Sequence, residues 1–334
     1  MINRIYNTQI IGTGSYAPEK IIKNEDLARV MDTSDEWIKT RTGICERRIS
    51  QGENTSDIAV KAAVGAMKDA NIESSKIDLI ICATITPDYF TPSTACLVQS
   101  AIGARNAACF DISAACTGFI YALSTAQKFI STGDYDYVLV IGAETLSKIV
   151  DWNDRNTAVL FGDGAGALLL KRSEEKGLMK FYLGSDGDKS HALTCRAVPV
   201  KKITDRTDYK NNSQYIAMNG KEIFKFAVNA IEDIISKLMQ EMNLSIDEIK
   251  YIIPHQANIR IIEAASKKLH IPIDKFYINL NKYGNTSAAS IAIAMDEINR
   301  KKLVRHNDKL LIAGFGGGLT FGGALINWTK QAEQ

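Results

Sequence analysis

Residues 110–119 read FDISAACTGF, and the side chain in that stretch with chemistry to offer is Cys116. An apolar run with strand character precedes it, and TGFIYAL, with helical periodicity, follows. A thiol at a helix start faces free backbone N–H groups and the positive end of the helix dipole. Both stabilise a thiolate and are expected to draw its pKa below the free value of about 8.5. Ala114, Ala115 and Gly118 are small enough to let a substrate come close. A free cysteine is ordinarily a small core residue, and this stretch alone leaves that role open beside the nucleophile.

A cysteine nucleophile needs partners. Of the four histidines, His191 (DKSHALT), His270 (KKLH) and His306 (RHNDK) lie in polar or charged surroundings, where a solvated ring is expected. His255 instead closes the apolar run IKYIIPH, at the C-terminal edge of a strand, where open α/β sheets collect ligands. Asn285, in YGNTSAAS, is expected at a helix start in the same half, where an N-cap is its plain role. The glycine run GFGGGLTFGG (314–323) supplies either a tight turn or backbone N–H groups for an oxyanion, with Phe315 and Phe321 expected to pack around it. Farther upstream, the Thr33-to-Glu36 spacing reads as a capping box, opening a short helix on which Trp37 and Arg41 share a face.

These residues must be held by an α/β scaffold. IDLIICAT, ACFDI and DYVLVIGAE are strand-like runs separated by helical segments, and GDGAGALLLK reads as an antiparallel addition. The C-terminal half repeats the layout: IKYIIPHQ, the helical IRIIEAASKKLHI, a strand FYINL, a helix over 285–303, then DKLLIAGFG. Overlaying the halves sets Cys116 beside Asn285 and predicts an internal duplication, with halves spanning 1–174 and 175–334.

Composition narrows the function classes. With 334 residues, 46% hydrophobic, 23% charged and a net charge of +2, the chain has a substantial core and no general pull toward nucleic acid. No stretch approaches the roughly 20 apolar residues that span a bilayer. The start MINRIYNTQIIGTG lacks an apolar leader, and the six cysteines are scattered without a CxxC pair. The expectation is a cytoplasmic protein with neither disulfide framework nor metal site. GTGSYA and GDGAG mimic dinucleotide fingerprints, but Pro18 and a strand, respectively, follow where a helix must open, so no such cofactor is expected.

Together DISAACTGF, HQANIRI, GNTSAAS and FGGGLTFG resemble the β-ketoacyl-(acyl carrier protein) synthase III family of the thiolase superfamily, nearly end to end. The resemblance implies a duplicated, five-layered αβαβα fold and a Cys116–His255–Asn285 triad. It implies that Cys116 is acylated by an acyl-coenzyme A, and that malonyl-(acyl carrier protein) then loses carbon dioxide and attacks the acyl group. His255 and Asn285 donate hydrogen bonds to the malonyl thioester oxygen, and the backbone N–H groups of Cys116 and Gly317 form a second oxyanion hole. Asn285 favours this decarboxylative chemistry over the related hydroxymethylglutaryl synthases, which use a glutamate. Coenzyme A is a substrate and no cofactor is implied. Trp37 and Arg155 are implied to sandwich its adenine and Arg41 to contact the nucleotide. Arg260, with Lys225, Lys267 and Lys268, is implied to dock the acidic carrier protein.

The resemblance also implies a homodimer, because the loop TPDYFTPSTAC gates the partner's acyl pocket. Many members carry Phe directly before that proline. Here Phe90 comes one place earlier and Thr91 precedes Pro92, a smaller gate that implies a longer or unusual primer. An alternative is therefore a ketosynthase of a secondary-metabolite pathway. A catalytically idle scaffold is a third reading, and the intact triad argues against it.

Overall fold

LIICA (79–83) and YVLVIGAE (137–144) are apolar at nearly every position, the pattern of strands covered on both faces. The computed structural model describes residues 5–198 and 214–330, and in it both stretches are interior strands of a five-stranded sheet. Across that sheet run β1 (Asn7–Tyr16), β5 (Gly164–Ser173), β4 (Tyr137–Glu144), β2 (Leu79–Ala83) and β3 (Ala108–Ile112). β2 is parallel to β3 and β4, while β5, the glycine-led addition, is antiparallel to β4 and β1. A second sheet is ordered β6 (Leu178–Ser185), β9 (Thr320–Asn327), β8 (Lys309–Gly316) and β7 (Ile249–Pro254), with β7 and β8 parallel and the other pairs antiparallel.

The two sheets have the same order except at one edge, where the expected strand FYINL is reduced to a single bridge, Ile252 to Phe276. The Gln256 side chain takes the ladder's place there. Its Nε2 donates to the Tyr277 carbonyl at 3.0 Å and its Oε1 accepts from the Asn279 N–H at 3.0 Å.

Helices complete five layers. α2 (Thr55–Ala70) and α3 (Thr94–Ile102) cover the outer face of the first sheet. α5 (Gly220–Glu241) and α6 (Ile259–Leu269) cover that of the second. Between the sheets lie α4 (Gly118–Thr132) and α7 (Ala289–Arg300), whose Phe119, Ile120, Leu123, Ile291 and Met295 share one core with strand residues of both sheets. Residues 289–296 of α7 are all buried, as befits a helix with no solvent face.

Such a central layer needs small residues where backbone meets backbone. A Cβ on Gly142, in β4, would lie 2.3 Å from the Ala288 carbonyl oxygen, so the strand and the start of α7 touch directly. Gly142→Ala is expected to cost about 1–3 kcal/mol of stability through overpacking. Denaturant unfolding checks this, and an unchanged midpoint would contradict the contact.

Candidate active site

Cys116 sits on a one-turn helix, Ala115–Thr117, that leads from β3 into α4. Ala115 before it holds φ 46, a left-handed backbone that an alanine adopts only at some cost in strain. The sharp turn places the thiol at the strand edge and stacks it against β8. A Cβ on Gly316 would lie 2.7 Å from the Cys116 backbone nitrogen, so the glycine is what lets the two halves of the molecule meet here.

The expected drop in the thiol's pKa is not what this environment produces. Burial pushes Cys116 up to about 12, with the nearby Glu144 charge adding to the rise. The polar Ser287 hydroxyl and the Cys116 backbone oppose that rise without overcoming it. Helix-start dipoles act within a turn, whereas desolvation of a thiolate that is only 9% exposed outweighs them.

His255 follows the last residue of β7, and its N–H donates to the Ala313 carbonyl at 2.8 Å, which locks it to β8. The ring is 1% exposed, stacks edge-on against Phe315 with centroids 5.2 Å apart, and sets Nδ1 2.7 Å from Ser290 Oγ. Burial pushes the imidazole down to about 3, so it is neutral near pH 7. A Ser290 hydroxyl that donates to Nδ1 would place the ring proton on Nε2, available as a donor.

Asn285 is not an N-cap, and the helix expected from 285 begins only at Ala289. Its N–H donates to the Leu160 carbonyl at 2.8 Å and its carbonyl accepts from the Gly162 N–H at 3.0 Å. Its Oδ1 accepts from the Ser287 N–H at 2.9 Å. These bonds hold the segment extended against Phe161, and Ser287, at φ 47, delays the helix.

Cys116, His255 and Asn285 line one cavity of about 130 Å³, together with apolar residues such as Met218, Phe224 and Ile261. Cys116 also lines a second, more open cavity of about 1250 Å³, to which Phe90, Thr91 and Gly317 contribute. Phe321 does not reach either wall. It packs instead against Tyr182 and Phe226, with centroids 5.8 and 6.2 Å away.

At the periphery, α1 (Asp35–Thr42) is capped by Ser34, whose Oγ accepts from the Trp37 N–H at 3.1 Å, so Thr33 is not the cap. The guanidinium carbons of Arg41 and Arg155 each lie 4.9 Å from the Trp37 ring centroid. Arg155 is held there by donating to the Asp32 carbonyl at 2.6 Å. Arg260, Lys225, Lys267 and Lys268 are all exposed on α5 and α6, although Lys268 is already paired with Glu232 at 3.2 Å.

Sequence reasoning passed over Ser290, Ser287 and Glu144. SAAS within the quoted GNTSAAS motif held the first two, and a carboxylate closing the apolar run YVLVIGAE was the signal for the third.

Comparison with known proteins follows the same lines. Residues 110–187 match the family model described as 3-oxoacyl-[acyl-carrier-protein] synthase III, and residues 239–328 match its C-terminal model. A β-ketoacyl-[acyl-carrier-protein] synthase III of Clostridium acetobutylicum is 56% identical, covering 97% of this chain and 99% of that protein. One from Clostridium kluyveri is 58% identical, covering 96% and 98%. Among solved structures, 3-oxoacyl-[acyl-carrier-protein] synthase III of Aquifex aeolicus superposes with a TM-score of 0.90 at 46% identity, covering 96% of this chain and all of that one. The priming β-ketosynthase of the R1128 polyketide pathway gives 0.92 at 31% identity, covering 99% of each.

The buried neutral imidazole has a consequence for stability. Below its unfolded value of 6.5 the unfolded chain takes up a proton at His255 that the folded chain refuses until about 3. Stability from this group is therefore full above 6.5 and falls by about 1.4 kcal/mol per pH unit on acidification. Urea unfolding at pH 7 and 5 should show the wild type losing about 2 kcal/mol more than His255→Gln. Equal losses would mean that the ring protonates in place.

Proposed function

This chain belongs to the β-ketoacyl-(acyl-carrier-protein) synthase III family, and on that premise we propose that it joins an acyl group carried on Cys116 to a malonyl unit carried on an acyl carrier protein. The observation that carries this reading is that Cys116, His255 and Asn285 line one narrow cavity while Cys116 alone of the three also opens into a wider one. The narrow, largely apolar cavity suits the thioester-bearing arm of coenzyme A or of the carrier protein, and the wide one suits the acyl chain.

In the first half-reaction the Cys116 sulfur attacks the acyl-coenzyme A carbonyl and coenzyme A leaves. Backbone N–H groups of Cys116 and Gly317 stabilise the oxyanion. In the second, malonyl-(acyl carrier protein) enters and loses carbon dioxide, which drives charge onto its thioester oxygen. His255 Nε2–H and the Asn285 amide donate to that oxygen. A neutral imidazole held by Ser290 suits a donor role, because it keeps its proton throughout. The carbanion then attacks the acyl-cysteine and yields a β-ketoacyl-(acyl carrier protein).

Nucleotide binding requires a movement. An aromatic ring stacked between Trp37 and Arg155 needs about 7 Å, two contacts of about 3.5 Å. The guanidinium stands 4.9 Å from the indole, so Arg155 has to swing away from Asp32 to admit adenine, while Arg41 contacts the nucleotide. Arg260, Lys225 and Lys267, exposed on α5 and α6, with Lys268 partly occupied by Glu232, suit steering of an acidic carrier protein.

We also propose a homodimer. Among the described residues β3 is an edge strand with one unpaired side and with half-buried Cys109, Phe110 and Ile112, the kind of edge that proteins cover. Tyr89 and Phe90 nearby are 59% and 84% exposed. Thr91 at the gate suits primers longer than acetyl. The pathway is initiation of fatty-acid synthesis, supported by relatives at 56% and 58% identity against 31% for the polyketide priming enzyme. The free state of all six cysteines suits a cytoplasmic enzyme.

The test is product formation from malonyl-(acyl carrier protein) and a ladder of acyl-coenzyme A primers, read by mass spectrometry of the carrier protein. Wild type should form β-ketoacyl product, with its preferred primer longer than acetyl. His255→Ala and Asn285→Ala should still acylate but condense about 10²–10³-fold more slowly. Undiminished condensation in both variants would remove them from the mechanism.

A further inference from the structure

Glu144 ends β4 in the interior, 0% exposed, and its carboxylate is held by hydroxyls and a backbone N–H rather than by a cation. Oε2 accepts from Thr86 Oγ1 at 2.6 Å, from Thr84 Oγ1 at 3.1 Å and from the Ile85 N–H at 3.1 Å. Oε1 accepts from Ser287 Oγ at 3.2 Å. Ser287 and Cys116 line the wider cavity together, and the Ser287 hydroxyl acts on the thiol, which sets carboxylate, hydroxyl and thiol in sequence.

His255 does not suit the task of taking the thiol proton. Its Nδ1 lies 2.7 Å from Ser290 Oγ, and burial suppresses protonation of the ring. We propose that Glu144 is a positioning residue for acylation: through the Ser287 hydroxyl it receives the proton that Cys116 gives up. The inference rests on Cys116 being the acylated residue and deepens that reading.

As Cys116 Sγ bonds to the thioester carbonyl carbon and the bond from that carbon to the coenzyme A sulfur breaks, the thiol proton passes to Ser287 Oγ. The Ser287 proton passes at the same time to Glu144 Oε1. The departing thiolate recovers a proton as Glu144 releases one, and the carboxylate is restored. Throughout, the buried pocket holds a single negative charge. Ionising Cys116 toward solvent would instead create a second anion beside Glu144, and that is the more costly route.

Burial pushes Glu144 up to about 7, so the acceptor is poised near neutral pH. Ionisable groups that feel its charge include Cys116 and, on β2, Cys82. Asp88 and Asp111 act with it on Cys82, and Lys148 is engaged with Asp88 at 3.3 Å.

The experiment is single-turnover acylation by an acyl-coenzyme A, followed by intact mass across pH 5.5 to 9.5 or about that range, in wild type, Glu144→Gln, Glu144→Asp and Ser287→Ala. The wild-type rate should climb about tenfold per pH unit below neutrality and level off above about 7, as the carboxylate ionises. Glu144→Gln should be at least about 100-fold slower at neutral pH and keep climbing through pH 9 without levelling. Glu144→Asp should restore the plateau. Ser287→Ala should reproduce the glutamine variant, and it carries the comparison alone should Glu144→Gln not fold. The double variant should be no slower than either single one. A plateau unchanged in Glu144→Gln, or a loss by one factor at every pH accompanied by a lower melting temperature, overturns the proposal. A wild type that is never acylated strikes the reading of Cys116 itself, not the relay.

Discussion

The structure turns on the close approach of Gly316, at the end of β8, to Cys116, at the start of α4. A single added carbon on that glycine would sit 2.7 Å from the cysteine nitrogen. The contact requires both sheets to rest on the shared helices α4 and α7, and those helices to carry small residues where they meet the strands. Backbone packed this tightly leaves little freedom for the thiol. It also brings His255 and Asn285, from the C-terminal half, to the thiol of Cys116 in the N-terminal half. The duplicated fold is thus a way of facing two strand edges at one another.

Burial is the second consequence of that approach, and it sets the chemistry. The same desolvation raises the thiol of Cys116 and the carboxyl of Glu144 and lowers the imidazole of His255. All three groups are driven toward their neutral forms. Such a site suits hydrogen-bond donation to charge that develops on a bound molecule, and proton movement that creates no extra buried charge. Fixed donors in a low dielectric are more effective here than ionised side chains.

Much of this was legible in the residues. Cys116 and His255 stand where apolar strands end, and that position depends only on local pattern. The antiparallel β5 was legible because glycines led into a strand. What failed depended on partners distant in the chain. Asn285 looked like a helix cap, but hydrogen bonds to Leu160 and Gly162 hold it extended. FYINL had strand composition, yet the Gln256 side chain took the bonds of its ladder. The acidity of Cys116 was misjudged because a helix start is visible in sequence and the depth of burial is not. Ser290 is separated from His255 by 35 residues, and no spacing rule joins them.

The central claim is that Cys116, held at the junction of the two halves, is the group that takes the acyl chain. Peptide mapping after incubation with radiolabelled acyl-coenzyme A, compared with Cys116→Ala, tests it most directly. The account predicts one labelled peptide containing DISAACTGF in the wild type and none in the variant. Label on another cysteine, or equal label in Cys116→Ala, would contradict it.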